Sequence, residues 1–304
     1  MTKPGSDRYA DYRLERLAPK NEQIWDEFNA SSPEGTLFHS LRWKQIAENL
    51  SGTPGEYFLL FKDDEIFGLF PLTEHVIRGF RGLISASYPQ SLHVLLRDHR
   101  DPLALPFVVE ELAGMENGTG PISFVCPASL HQETFEPVTR YPRFRYPFSP
   151  DDSEEDMVLD LSRSPPDAIW STFTKKKRQG IRRFEKDGFV VTEAQTLEDL
   201  YRFYQFHDKN IMHIEGTLRP LSHFVDIWNT MPDKTRITSL SRGCLVAGGV
   251  LTLIDTAHRS VTLTYLSLNR DLPNIYTPSH YIFWEAIRWA WENGFQRVSF
   301  GREY

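Results

Sequence analysis

Apolar residues fall into short runs, and the most regular of these runs come in pairs. Residues 56–61 (EYFLLF) and 66–72 (IFGLFPL) flank a polar turn, as do residues 236–240 (RITSL) and 244–253 (CLVAGGVLTL). Short runs rich in β-branched and aromatic residues on either side of a turn predict β-hairpins. In both predicted hairpins the second strand has a central glycine.

The same order of elements follows each hairpin. Residues 102–117 and 279–293 have helical patterns, and short strands are predicted after them at 121–125 and 297–301. The two hairpin glycines are separated by 180 residues, and the serines of two Ser-Phe pairs by 176 residues. Two matches in the same order, at nearly the same offset, favour an internal duplication over coincidence.

An acidic segment separates the two halves. Residues 147–156 (PFSPDDSEED) combine two prolines with five acids, which is typical of a linker. We therefore predict two domains, 1–150 and 151–304. Because hairpins as well as helices join the strands, we expect an α+β (mixed α/β) fold, with a mostly antiparallel sheet flanked by helices in each domain, rather than a doubly wound parallel sheet.

The second half begins with elements that have no partner in the first. The pattern predicts a strand at 157–161, one continuous helix at 165–188, a strand at 189–194, and helices at about 196–209 and 219–230. Proline opens the first of these helices and a glycine closes it, which suits both ends.

Composition narrows the class of protein. The 304 residues are 40% hydrophobic and 13% aromatic, enough for a large core, and a net charge of -7 argues against DNA as a partner. Cys126 and Cys244 are too few for a disulfide framework, so a reduced, cytoplasmic setting is expected. The N-terminus has no apolar signal core and no window predicts a spanning helix, although contact with a membrane-linked substrate stays open.

One segment opposes this acidic balance. Residues 174–186 (TKKKRQGIRRFEK) contain seven Lys or Arg residues. On a helix Lys175, Arg178 and Arg182 share a face, whereas Lys177 lies on the apolar side with its ammonium free to reach solvent. The segment is either a solvated helix face or a binding site for phosphate. Clustered cations repel one another and arginine binds phosphate oxygens in a bidentate manner, so we expect a phosphate-bearing substrate.

The ordered set of motifs resembles one family. The strand MVLDL, the helix with KxRxxIRR, the segments TLFHSLRW (36–43) and AGGVLTL (247–253), and residues 264–302, which end in FGR, are similar to the FemABX-like transferases over nearly the whole chain. The resemblance implies two tandem GNAT-like domains. Members transfer an aminoacyl group from charged tRNA, or another acyl group, to an amine, and the best-known ones extend peptidoglycan peptides.

The resemblance also implies roles for particular residues. It places Tyr265 and Arg302 in the catalytic cleft, with a sheet aromatic and a surface charge as the alternatives. Asn269, Asn274 and Pro278 lie in the loop that would receive the donor phosphates, although Asn and Pro are also ordinary turn residues. Since this loop has no glycine, it differs from the Gly-x-Gly/Ala loop of ordinary GNAT enzymes and makes a simple acetyl-CoA enzyme less favoured.

Other polar residues are weaker candidates. His39 and Trp43, in the entry segment of the first domain, are expected to contact substrate, with core packing as the alternative for Trp43. His207, His213 and Glu215 have neither zincin spacing nor a common helix face, so no metal site is expected.

The predicted chemistry is direct acyl transfer. The sequence has no GxSxG, Walker or Cys–His constellation, so a deprotonated amine is expected to attack a donor ester or thioester without a covalent enzyme intermediate. We expect no tightly bound cofactor, with aminoacyl-tRNA or acyl-CoA as co-substrate. Two alternatives stay open: an acyl-CoA-dependent N-acyltransferase, and a GNAT-like binding protein without turnover, since the family's segment beyond FGR has no counterpart before Tyr304.

Overall fold

The chain divides into two units, Met1–Ser153 (unit 1) and Glu154–Tyr304 (unit 2). The computed structural model describes residues 6–77, 80–85, 93–115, 122–123 and 156–302. Cys126 and residues 147–155 of the predicted linker lie outside the described residues.

Unit 1 is a sheet flanked by three helices in its described part. Its elements are, in chain order, β1 (Tyr12–Arg16), α1 (Glu22–Ser31), α2 (Leu41–Ser51), β2 (Glu56–Lys62), β3 (Glu65–Ile77), β4 (Phe80–Ile84), β5 (Leu95–Leu96), α3 (Ala104–Gly114) and β6 (Ile122–Ser123). The strand order is β1-β2-β3-β4-β6, with β5 paired to β3. Only the β4–β6 pair is parallel among the described strands of this sheet.

Unit 2 repeats this plan with an additional N-terminal part. Its elements are β7 (Asp156–Asp160), α4 (Pro166–Thr172), α5 (Lys175–Lys186), β8 (Val190–Glu193), α6 (Leu197–His213), α7 (Leu221–Thr230), β9 (Thr235–Arg242), β10 (Leu245–Asp255), β11 (Ser260–Leu268), α8 (Pro278–Glu292) and β12 (Arg297–Arg302). The strand order is β7-β12-β11-β10-β9-β8, and β11 and β12 run parallel.

The two sheets share register as well as order. In each central hairpin the second strand has one extra residue, Phe67 or Ala247, directly before the glycine, Gly68 or Gly248. A Cβ at either glycine would lie 2.7 Å from a neighbouring atom, so close packing explains the glycine at both places. The shared topology and the matching bulges confirm the predicted repeat and the mixed, mostly antiparallel fold.

The single helix predicted over 165–188 is wrong. The chain leaves the helical conformation at Phe173 (ψ 140) and Thr174 (ψ 154), and α5 begins after them. The Thr174 hydroxyl accepts the backbone N–H of the residue three positions later, as an N-cap does. The break also lets Trp170 and Phe173 pack against Trp284 of α8.

The apolar side of α5 lies as predicted. Ile181 and Phe184 are 1% and 0% exposed and join the core of unit 2, whereas Lys177 on the same side is exposed. The helices in the described part of the chain are too short or too polar to cross a bilayer.

Candidate functional site

The two parallel strands of unit 2 separate along their length. β11 and β12 pair only from Ser260–Arg297 to Thr262–Ser299. Within the described residues, five of the remaining six residues of β11 pair with β10 alone, and Thr264 has no strand partner. This half of β11 therefore has a backbone edge without a strand partner, where the Leu268 N–H donates to Asn210 Oδ1 of α6 at 3.2 Å.

A β-bulge lies at the start of this open half. Register shifts from the Leu251–Tyr265 pair to the Thr252–Leu263 pair, so Thr264 is the extra residue on β11. Because successive side chains of a strand alternate between faces, the extra residue reverses the alternation beyond it. Leu263, before the bulge, packs in the core cluster that includes α8, whereas Tyr265, after it, contacts α6 and α7.

The reversed segment of β11 makes a buried polar cluster with these two helices. The Tyr265 hydroxyl lies 2.7 Å from Nε2 of His223, and the Ser267 hydroxyl lies 2.7 Å from Nδ1 of His207. All four residues are at most 3% exposed. Burial lowers the pKa of each histidine to about 4, so both imidazoles are neutral at pH 7.

This cluster differs from what the sequence predicts. Tyr265 lies in the interior, so its catalytic contact with substrate stays a prediction. His207 pairs with a hydroxyl, whereas His213 is exposed, and the described residues contain no group arranged to hold a metal ion. Sequence reasoning missed His223, whose only signal is a place on the apolar side of α7.

The loop between β11 and α8 begins at the end of the open half. Asn269 fixes its start, since its side chain donates to Val246 O at 2.9 Å and accepts from Asp271 N at 2.9 Å. Asn274 is exposed, and Pro278 is the first residue of α8. The three residues predicted for donor binding thus lie in one loop and at one helix end.

The basic helix lies beside this loop. Phe184 of α5 contacts the rings of Tyr276 and Tyr281 at centroid distances of 5.1 and 5.6 Å. The pKa of His280, in the first turn of α8, is lowered mainly by burial and further by the ammonium of Lys177. The helix α5 and the loop 269–277, which are distant in the sequence, therefore lie side by side in unit 2.

The arginines of α5 contact their own protein. Arg178 Nη1 donates to the carbonyl oxygens of Phe173 (2.6 Å) and Ser171 (3.2 Å), which closes the end of α4. Arg182 lies over the ring of Trp170 with its Cζ 5.5 Å from the centroid. A phosphate-binding role for these two arginines stays a prediction.

The lysines of α5 differ from the arginines. Lys175, Lys176 and Lys177 are exposed, and the first turn of the helix contains no acid. Among the described residues, no acidic side chain forms an ion pair with any of the seven cations of α5. The three lysines therefore present free ammonium groups at one end of the helix.

The remaining predicted residues lie elsewhere. His39 and Trp43 are 1% exposed in unit 1, where both ring nitrogens of His39 lie within hydrogen-bonding distance of Thr36 Oγ1 (2.8 Å) and His93 O (2.9 Å). Their burial gives them a place in the interior, so their contact with substrate stays a prediction without support in this geometry. The backbone of Arg302 pairs with Asp156 at the end of β12.

Residues 171–304, most of unit 2, match the model of the acetyltransferase (GNAT) domain family. Unit 2 therefore contains the part of the chain that is similar to a GNAT domain. No curated protein has significant sequence similarity to the chain.

Solved structures are similar to this chain over nearly its whole length. The crystal structure of FemX superposes with a TM-score of 0.70 at 13% identity, over 96% of this chain and 89% of FemX. A conserved protein of unknown function from Bacteroides thetaiotaomicron gives a TM-score of 0.53 at 9% identity, over 95% of this chain and 90% of that one. A tandem GNAT protein from the clavulanic acid biosynthesis pathway gives 0.48 at 10% identity, over 95% and 89%.

The likeness to FemX and the repeated topology of the two units confirm the predicted FemX-like fold. The match to the acetyltransferase (GNAT) domain family supports acyltransferase activity in general terms. Donor and acceptor have to be argued from the residues of this chain.

Proposed function

We propose that the protein is an N-acyltransferase that moves an aminoacyl or acyl group from a phosphate-bearing donor to an amine of a cell-envelope or polysaccharide-related acceptor. Aminoacyl-tRNA is the proposed donor, and the cytoplasm, where charged tRNA is available, is the proposed setting. The observation that carries the proposal is the set of three exposed lysines in the first turn of α5, of which Lys177 is close enough to His280 at the start of α8 to lower its pKa.

The loop itself is poorly suited to cradle a pyrophosphate with backbone N–H groups. It contains no glycine, and the first residue of α8 is a proline, which has no N–H. Two further backbone N–H groups already donate hydrogen bonds within the loop. That of Asp271 donates to Asn269 Oδ1, and that of Tyr276 donates to Pro273 O. Donor phosphates would therefore be recognised by side chains.

Side chains for that purpose lie at the start of α5. The N-terminal end of a helix carries a partial positive charge, so lysines in the first turn are unfavourable there. The three consecutive lysines also repel one another, and no first-turn acid offsets them. An anion bound at this end would remove both penalties, and an extended polyanion such as tRNA would contact all three ammonium groups.

The open edge of β11 would serve the chemical step. A backbone N–H on this edge can hydrogen-bond the donor carbonyl and stabilise the oxyanion that forms when the amine attacks. The donor alcohol or thiol then leaves, and no enzyme nucleophile is required.

Acyl-CoA is the second candidate donor. The match of residues 171–304 to the acetyltransferase domain family favours it, because that family name refers to acetyl transfer. The two candidate donors differ in the number of phosphates they offer to the lysines, since tRNA has many and CoA has few.

The test is a titration of the protein with aminoacyl-tRNA and, separately, with a panel of acyl-CoAs. The test variant changes Lys175, Lys176 and Lys177 to Gln. The control changes Lys20, Lys209 and Lys234 to Gln, which alters net charge equally. We expect the test variant to bind tRNA about 10- to 100-fold more weakly and to lower the salt slope by about 2, while the control binds as wild type.

Each other result has a definite meaning. Equal weakening in both variants would show that net charge alone acts and would overturn the lysine site. Saturable acyl-CoA binding without tRNA binding would move the assignment to the second candidate. Binding of neither by the folded protein would contradict the proposed function.

A further inference from the structure

The same corner of the sheet is built in both units. In unit 1 Lys62, the last residue of β2, lies over the ring of Tyr12 on β1, with its Nζ 5.1 Å from the centroid. The Tyr12 hydroxyl donates to Asp101 Oδ2 at 2.5 Å, and Lys62 donates to the same oxygen at 2.6 Å. Asp101 belongs to the loop before α3, so this corner fixes that loop to the sheet.

In unit 2 the counterpart of Lys62 is Arg242, the last residue of β9. Its Cζ lies 5.0 Å from the ring centroid of Phe189, and its Nη1 donates to Asp187 O at 3.1 Å. The Tyr276 hydroxyl donates to Asp187 Oδ2 at 2.5 Å. Here the tyrosine belongs to the loop before α8 and the carboxylate lies at the sheet corner, which is the reverse of unit 1.

A tyrosine–carboxylate bond of the same length thus links the corresponding loop to the corresponding corner, although the two residues have exchanged places. Such a repetition with exchanged partners indicates that the link itself matters. A second contact adds to it in unit 2, since Arg183 Nη1 of α5 donates to Ile275 O at 3.1 Å.

We propose that the Tyr276–Asp187 bond is a latch that holds the loop 269–277 against α5, and that Tyr276 and Asp187 are positioning residues for the donor. The role toward a donor rests on the proposed function, whereas the latch itself does not. When the latch holds the loop in one conformation, a ligand bound on α5 meets a preorganised surface. No binding free energy is then spent on ordering the loop.

The chain offers a matched control for the hydroxyl. Tyr281 also packs against Phe184, and its hydroxyl has no hydrogen-bond partner among the described residues. Tyr276→Phe and Tyr281→Phe therefore remove the same atom from two rings on the same neighbour, but only the first removes the latch. At the other end, Asp187→Ala removes the acceptor, whereas Asp187→Asn keeps an oxygen that can accept.

The first measurement is amide hydrogen exchange of the full chain without ligand. We expect exchange in residues 270–277 to be about 10-fold faster in Tyr276→Phe and Asp187→Ala, because a lost hydrogen bond to a charged group lowers the free energy of local opening. Tyr281→Phe should exchange as wild type, and Asp187→Asn should recover most of the protection. Unchanged exchange in Tyr276→Phe, or equal acceleration in Tyr281→Phe, would overturn the latch.

The second measurement is the affinity for uncharged tRNA and for CoA. We expect Tyr276→Phe to weaken whichever probe the wild type binds by about 5- to 10-fold, with Tyr281→Phe unchanged. Faster loop exchange with unchanged affinity would overturn the positioning role and leave the latch. If the wild type binds neither probe, the proposed function and the positioning role fail together, while the exchange result still decides the latch.

Discussion

Acidification should selectively destabilise unit 2 through His207 and His223. Both imidazoles are buried and hydrogen-bonded to hydroxyls, and burial lowers the pKa of each from 6.5 to about 4. In the unfolded chain each returns to its ordinary pKa and takes up a proton below pH 6.5. The unfolded state therefore binds more protons between pH 6.5 and pH 4, and stability is lost as pH falls through this range.

The size of the effect follows from the shift. Lowering pH from 7 to 5 should remove about 2 kcal/mol of unfolding free energy per histidine, or about 4 kcal/mol for the pair if they titrate independently. The pKa of His280 in the same unit is also lowered, mainly by burial, so its contribution has the same sign.

Urea unfolding at pH 7 and pH 5, followed by tryptophan fluorescence, measures this change. The signal reports mainly unit 2, which contains five of the seven tryptophans. His223→Gln should lower stability at pH 7 but halve the difference between the two pH values, whereas His213→Gln, on the exposed end of α6, should leave it unchanged. A wild-type loss below about 1 kcal/mol, or an equal loss in His223→Gln, would refute the reasoning.

Two further predictions concern packing in unit 2. Gly248→Ala should destabilise the protein by about 2–4 kcal/mol, because the added Cβ would lie 2.7 Å from Ile282 Cδ1. Gly180→Ala should stabilise α5 by about 0.5–1 kcal/mol, because its added Cβ would have no atom within 4 Å. Thermal unfolding of both variants tests this contrast, and equal effects would contradict it. Thr252→Val should be neutral or stabilising by about 1 kcal/mol, since the buried Thr252 hydroxyl has no hydrogen-bond partner among the described residues; a clear loss in urea unfolding would show that the hydroxyl is satisfied.

Elements whose signals are local could be predicted from the sequence. Both central hairpins, their glycines and the apolar side of α5 follow from strand and helix periodicity, and the duplication follows from their offsets. The break at Thr174 was not predicted from periodicity, because threonine is also compatible with a helix interior and the packing of Trp170 and Phe173 on Trp284 of α8 is not visible in the sequence.

The candidate site could also be predicted only where its signals are local. A run of Lys and Arg residues can be recognised from the sequence alone, so α5 and the loop after β11 could be predicted as candidate binding elements. Their contact depends on Phe184 meeting Tyr276, residues that lie far apart in the chain. His223 was missed because a histidine on the apolar side of a helix does not reveal a tyrosine hydroxyl on another element, and the lysines could not be told from the arginines before Arg178 was seen to close α4.

The extra residue at Thr264 acts on β11 as a frameshift acts on a coding sequence. Deleting it would turn Tyr265 and Ser267 into the leucine-lined layer beneath α8 and would turn Leu266 and Leu268 toward the two histidines. Every side chain of the open half would then face the wrong environment, although no residue had been replaced. Length, more than residue identity, is therefore what this strand has to preserve.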